Sequence, residues 1–169
     1  MTVLKVATVV FVMIVVQVSL VSQLPVFGAR GDIVLLAAIA AGFESNAQRG
    51  AVVGFAAGLA FDLLLNSPAG LSALTYCLVG YVVGSLQGSV LRSSWWIPVI
   101  GTMVASAIGV VLFAVLDEVV GDATIEVGRL PAIVAVVAIL NGLLSRPARW
   151  AMRRALAESS RSRDRFFLR

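Results

Sequence analysis

The 169-residue chain has no histidine, a single cysteine and only 13% charged residues. Without histidine it lacks the commonest general base at neutral pH and the commonest transition-metal ligand. The lone Cys77 can build neither an intramolecular disulfide nor a thiolate zinc site, and within its apolar run it reads as a packing residue. The charge deficit excludes an ordinary soluble domain, in which about a quarter of residues are charged. With 5 prolines and 15 glycines, collagen-like and low-complexity classes fail as well. What is present is apolar: 60% of the residues, with a mean hydropathy of +1.00. The fold class this implies is an all-α polytopic membrane protein.

A net charge of +4 could suggest nucleic acid as a partner, but the positions of the charges exclude it. Arg146, Arg149, Arg153, Arg154, Arg161, Arg163, Arg165 and Arg169 follow the last apolar segment, where cytoplasmic membrane-flanking charge belongs. Six apolar segments precede them. They run over about Val3–Val21, Ile33–Phe43, Gly50–Leu65, Leu71–Val90, Ile97–Leu116 and Leu130–Leu144, the last closed by Arg146-Pro147. The first has no small-residue cleavage site and reads as a retained helix. The second is short or broken: its length reaches about 16 Å, roughly half the hydrocarbon thickness. It is expected to extend into its polar flanks or to form a re-entrant pair with the third. Residues 1–145 thus form one transmembrane domain of about six helices, and 146–169 a basic tail.

Six crossings place Lys5, Arg49, Arg92 and the tail arginines on one side, and only Arg30 and Arg129 on the other. The positive-inside rule then puts both termini in the cytoplasm. The tail segment Pro147–Ala157 spaces Trp150, Arg153 and Arg154 as a short basic amphipathic helix would, suited to anionic lipid. Setting topology alone, or docking a cytoplasmic partner, are the other readings of the tail.

Gly50, Gly54, Gly58 and Asp62 recur every four residues, with Asn66 next in the series. On a helix this spacing forms one slowly drifting face, and small residues there let another backbone approach closely. Gly80, Gly84 and Gly88 repeat the pattern in the following segment. The two segments are expected to form an antiparallel hairpin whose glycines make a helix-packing or partner-binding seam. Val53, Phe55, Leu59 and Phe61 fall on other faces, with Val53 expected to face lipid. Asp62, about a turn inside the membrane boundary, is expected to cap or hydrogen-bond the Asn66–Gly70 turn. A charge-coupling role is the alternative, although no second intramembrane charge provides a relay. Asp32 opens the second segment as a helix cap would.

Taken together, these motifs resemble the MreD family of bacterial rod-shape membrane proteins. The resemblance lies in Asp32-Ile33-Val34-Leu35-Leu36, then Gly50-x-x-x-Gly54-Phe55-x-x-Gly58-Leu59-x-x-Asp62-Leu63, then Ser67-Pro68-Ala69-Gly70-Leu71, then Leu78-Val79-Gly80-Tyr81. It covers about residues 30–90. The family often has proline before the acid of the first motif, where this chain has Gly31. The resemblance implies a non-enzymatic subunit of the cell-elongation machinery, without cofactor. Its implied partners are MreC, a single-span protein, and through it RodA, a penicillin-binding transpeptidase and MreB filaments, in the inner membrane.

Two other readings compete. A substrate-binding subunit of an energy-coupling-factor vitamin transporter would also be small, apolar and six-spanning, but the spans here offer few polar groups to orient a ligand. A lipid phosphotransferase would need clustered acids for a divalent metal. The only acid cluster is Asp117, Glu118, Asp122 and Glu126, which reads as a solvated loop.

Overall fold

The computed structural model describes residues 2–19, 32–65, 70–90, 96–121 and 127–156. Gly31, Asn66, the Ser67–Ala69 turn and the chain beyond residue 156 lie outside the described residues. Six α-helices account for nearly all of the rest: α1 (Thr2–Ser19), α2 (Ile33–Glu44), α3 (Ala47–Leu65), α4 (Leu71–Val90), α5 (Ile97–Val120) and α6 (Leu130–Leu156). A single 3₁₀ turn, Val127–Arg129, leads into α6. Successive helices alternate in direction, so Thr2 and Leu156 lie at the same end of the bundle. That end also holds Glu44, Arg49 and Arg149; the opposite end holds Asp32, Asp62 and Gly121.

Four of the helices, α3 to α6, are long and apolar enough to cross a bilayer, and α1 and α2 are shorter apolar helices. Val52, Leu63, Val119 and Leu143 are each more than two-thirds exposed. Large apolar side chains spread this widely over a surface have lipid as their only compatible solvent. The protein is an integral membrane protein.

The short helix is the centre of the bundle. α2 is one unbroken helix of 12 residues, and every residue from Ile33 to Phe43 is buried. It packs against all five other helices. The physical reason is its composition: a helix that is apolar all the way round has no face to give to a solvent boundary and belongs inside. Its small residues Ala37, Ala38, Ala40 and Ala41 are wholly covered, which lets the neighbours close in. Leu35 and Ile39 pack with Tyr76, Val79 and Ala105 on one side, and Leu36 and Ala40 with Ala148 and Met152 on the other.

The termini of the helices are satisfied locally. α5 starts with Pro98 in its first turn, where the missing N–H costs nothing, and ends at Gly121 with φ +84°. The Gly121 N–H donates to the carbonyls of Asp117 and Glu118, a left-handed cap that favours glycine.

Two expectations from the sequence change here. The last helix does not close at Arg146-Pro147 but continues through Pro147 to Leu156. Proline removes one backbone bond, yet Ala148, Met152 and Ala155 beyond it are buried, with Ala148 and Met152 against Leu36, Ala40 and Ala41. Tertiary packing outweighs the break. The amphipathic stretch therefore gives its apolar face to α2, while Arg153, Arg154 and Trp150 stay outside, with the Arg154 guanidinium 3.9 Å from the Trp150 ring centroid. Val53, expected to face lipid, is half-buried against the same cluster, and the lipid-facing neighbour is Val52.

Arg149 departs from the other tail arginines. Its Nε donates to Glu44 Oε1 at 2.7 Å, both side chains are largely covered, and its guanidinium lies 5.5 Å from the Phe43 ring centroid. This ties the end of α2 to α6. Arg149→Ala should destabilise the protein by about 3 kcal/mol, because it strands the Glu44 carboxylate in a covered site. Glu44→Gln in the same background should recover part of that loss, as read from melting temperatures in detergent.

Candidate functional site

The glycines singled out by their spacing meet across the α3–α4 hairpin. Gly50 and Gly80 face each other so closely that a Cβ on either would strike the other's carbonyl oxygen. A Cβ on Gly54 would strike the Tyr76 carbonyl, and one on Gly58 would sit 2.6 Å from Ala73 Cα. At the far end a Cβ on Gly84 would lie 2.6 Å from the Asn46 carbonyl oxygen. The obstacles are all backbone, which has nowhere to move. The hydrogen that each of Gly50 and Gly80 carries points at the other's carbonyl, the geometry of a Cα–H···O contact. Gly88, by contrast, faces open space.

A third helix enters the same seam. Gly42 of α2 would place a Cβ 2.8 Å from the Gly80 oxygen, and a Cβ on Gly50 would lie 2.9 Å from Gly42 Cα. Three backbones thus converge at Gly42, Gly50 and Gly80. Gly42 carries no spacing signal, because it has no glycine partner four residues away in its own helix.

Two acids, Asp62 and Asp32, stand at one end of this seam. Asp62 on α3 is 1% exposed, and its carboxylate caps α4 across the hairpin. Oδ2 accepts from the N–H groups of Gly70 at 2.9 Å and Ala73 at 3.3 Å, and Oδ1 from that of Ser72 at 3.3 Å. These are the orphan donors that open α4, and a carboxylate at a helix N-terminus also meets the favourable end of the helix dipole. Gly70 itself sits at φ +109°, a conformation that glycine adopts freely.

Asp32 does the same for α2, and more. Oδ1 accepts from Leu35 N–H at 2.8 Å, while Oδ2 accepts from the Tyr76 hydroxyl at 2.6 Å. Gln17 on α1 adds its Oε1 as acceptor for the Ile33 N–H at 2.9 Å. Asp32, Tyr76 and Gln17 therefore join α1, α2 and α4 at one point. Tyr76 is the residue that sequence reasoning missed. Its partner lies 44 positions away, and a tyrosine inside an apolar run carries no local signal beyond the need of a buried hydroxyl for a partner. Tyr76→Phe should cost about 2 kcal/mol, since it leaves a carboxylate oxygen without its donor. The readout is the melting temperature, with Tyr81→Phe on the exposed face of α4 as the neutral control.

Asn141 and Ser106 make a further polar link, Asn141 Nδ2 donating to Ser106 Oγ at 3.0 Å between α6 and α5. At the opposite end, Arg146, Arg153 and Arg154 are exposed, outside the seam and apart from the buried acids. Among the described residues no three His, Cys, Asp or Glu side chains stand together as a metal site would require. What the arrangement does chemically is hold helices at fixed distances: glycines set the spacing and the acids lock the register.

The family model described as rod shape-determining protein MreD matches residues 1–147. No curated protein and no solved structure matches the chain. A match over most of the chain shows that this protein belongs to the MreD family of rod shape-determining proteins.

Proposed function

We propose that the protein is a non-enzymatic scaffold subunit of the bacterial cell-elongation complex. It binds an MreC-type single-span protein and supports peptidoglycan synthesis by a RodA-type glycosyltransferase and a penicillin-binding transpeptidase. The complex follows MreB filaments on the cytoplasmic side of the inner membrane. Membership of the family gives the protein its role in rod-shape determination, and the match over residues 1–147 is the observation that carries the rest.

The geometry supports this reading in two ways. Asp32, Asp62, Glu44 and Arg149 are each engaged in joining one helix to another. The outward face of α5 presents Ile100, Val104, Ile108, Val111 and Val115, exposed apolar residues at helical spacing that a second helix can match. Both described ends of the chain lie at the end of the bundle that holds Arg49, and the surplus of Lys and Arg on that side supports a cytoplasmic placement by the positive-inside rule.

Isolation from native membranes in mild detergent, with identification of what accompanies the protein, tests the proposal. Recovery of a single-span coiled-coil protein together with wall-synthesis enzymes supports it. Recovery of paired ABC-type ATPases and a second membrane subunit overturns it in favour of a vitamin-transporter subunit.

A further inference from the structure

The continuation of α6 past Pro147 carries a charged face of its own. Beyond the proline, Ala148 and Met152 are buried against α2, which fixes the roll of the helix. Trp150, Arg153 and Arg154 then stand together on the outer side, all three exposed. The Arg154 guanidinium lies 3.9 Å from the Trp150 ring centroid. Stacking occupies the face of a guanidinium and leaves its N–H edge, the part that pairs with phosphate oxygens. Among the described residues this end of the bundle has one acid, Glu44, and Arg149 already engages it.

We infer that Trp150, Arg153 and Arg154 form a binding surface for anionic phospholipid headgroups. Depth selects the occupant. Between Leu130 and Trp150 the helix rises about 30 Å, the thickness of the hydrocarbon. Trp150 therefore stands at the membrane boundary, where tryptophan is favoured, and the two arginines lie a turn farther on, at the level of the phosphates. Trp96, exposed at the start of α5 on the same end, marks the same boundary. Charge selects the headgroup, because exposed cations at the membrane surface favour anionic over zwitterionic lipid. A soluble acidic protein would have to reach these side chains through the headgroup layer. The packing of Ala148 and Met152 on α2 keeps the patch at this depth and stops the helix from turning it away. The inference is independent of the partners proposed above and of which side of the membrane the patch faces.

The experiment uses the full chain carrying Trp95→Phe and Trp96→Phe, which leaves Trp150 as its one tryptophan. It is reconstituted in phosphatidylcholine vesicles with a small, equal fraction of brominated phosphatidylglycerol or brominated phosphatidylcholine. Bromine on the acyl chains quenches an indole that touches them. Phosphatidylglycerol should be enriched around Trp150 by about fivefold. Arg153→Gln with Arg154→Gln should abolish the enrichment, while Arg153→Lys with Arg154→Lys keeps it. Unchanged melting temperatures identify pairs that remain folded. High salt should weaken the enrichment in the unsubstituted arginine background, which reads the same charge dependence even where the glutamine pair does not fold. Equal quenching by the two lipids overturns the inference, as does enrichment that survives salt or the folded glutamine pair. So does the absence of quenching by either lipid, since Trp150 would then stand outside the bilayer. The vesicles hold no other protein, so failure here and failure of the elongation-complex reading are separate results.

Discussion

Gly54→Leu is expected to leave no folded protein in the membrane. The new side chain would have to occupy the space of the Tyr76 carbonyl, and the obstacle is the backbone of α4 itself. Overpacking a core normally costs about 1–3 kcal/mol because neighbouring side chains shift. Here the two helices must separate along their whole contact, so the cost should exceed that range. Gly50→Ala should already be damaging, since a single methyl meets the Gly80 carbonyl and crowds Gly42 at the same point. Gly88→Ala and Val52→Ala should be neutral, the first facing open space and the second facing lipid. Expression as a monodisperse species in detergent, followed by melting, checks the series. Normal behaviour of Gly54→Leu would mean that the α3–α4 seam is not a close backbone contact.

The second large effect is at Asp62. Asp62→Ala would strip the acceptor from three N–H groups at the start of α4, of which those of Ser72 and Ala73 are buried. Each buried donor left without a partner costs about 1–3 kcal/mol, so the loss from these two should reach at least about 2 kcal/mol. Asp62→Asn should fall between the two. The amide keeps one acceptor oxygen but turns an NH₂ group toward an N–H that previously had an acceptor. The expected order of stability is therefore wild type, Asn, Ala, and the order of function in a shape-complementation assay should follow it. A variant that melts like the wild type yet fails to support rod shape would assign Asp62 a charge-dependent role instead.

Much of this could be read from the sequence, and the legible parts share a cause. The apolar runs announce helices because a bilayer forces length and composition on any segment that crosses it. The Gly50, Gly54, Gly58 and Asp62 series is visible because all four lie on one face of one helix, at helical spacing. The illegible parts are pairings between distant positions. Glu44 and Arg149 are 105 residues apart, and Asp32 and Tyr76 are 44 apart. No periodicity connects such residues. The place of α2 has a readable signal in its composition. A run from Ile33 to Phe43 with no polar residue on any side is the mark of a helix enclosed by protein, whereas a search for spans sees only that it is short. The helical spacing after Pro147 was legible, but its continuity with α6 across the proline was not. It depends on Leu36, Ala40 and Ala41 being there to receive Ala148 and Met152.

The burial of α2 bears on how the chain enters the membrane. Twelve residues make a helix of about 18 Å, against about 30 Å of hydrocarbon. Released alone into lipid, α2 would draw Asp32 and Glu44 below the headgroups, with no Tyr76 or Arg149 yet present to meet them. Bundles are commonly described as assembling from helices that are each stable in the bilayer before they associate. That sequence of events fails at the second helix here. Asp32 meets Tyr76 only once α4 is in place, and Glu44 meets Arg149 only once α6 is, so the two ends of α2 are satisfied by helices that follow it in the chain. Membrane residence of this helix is a property of the tertiary structure, acquired only when its slot exists.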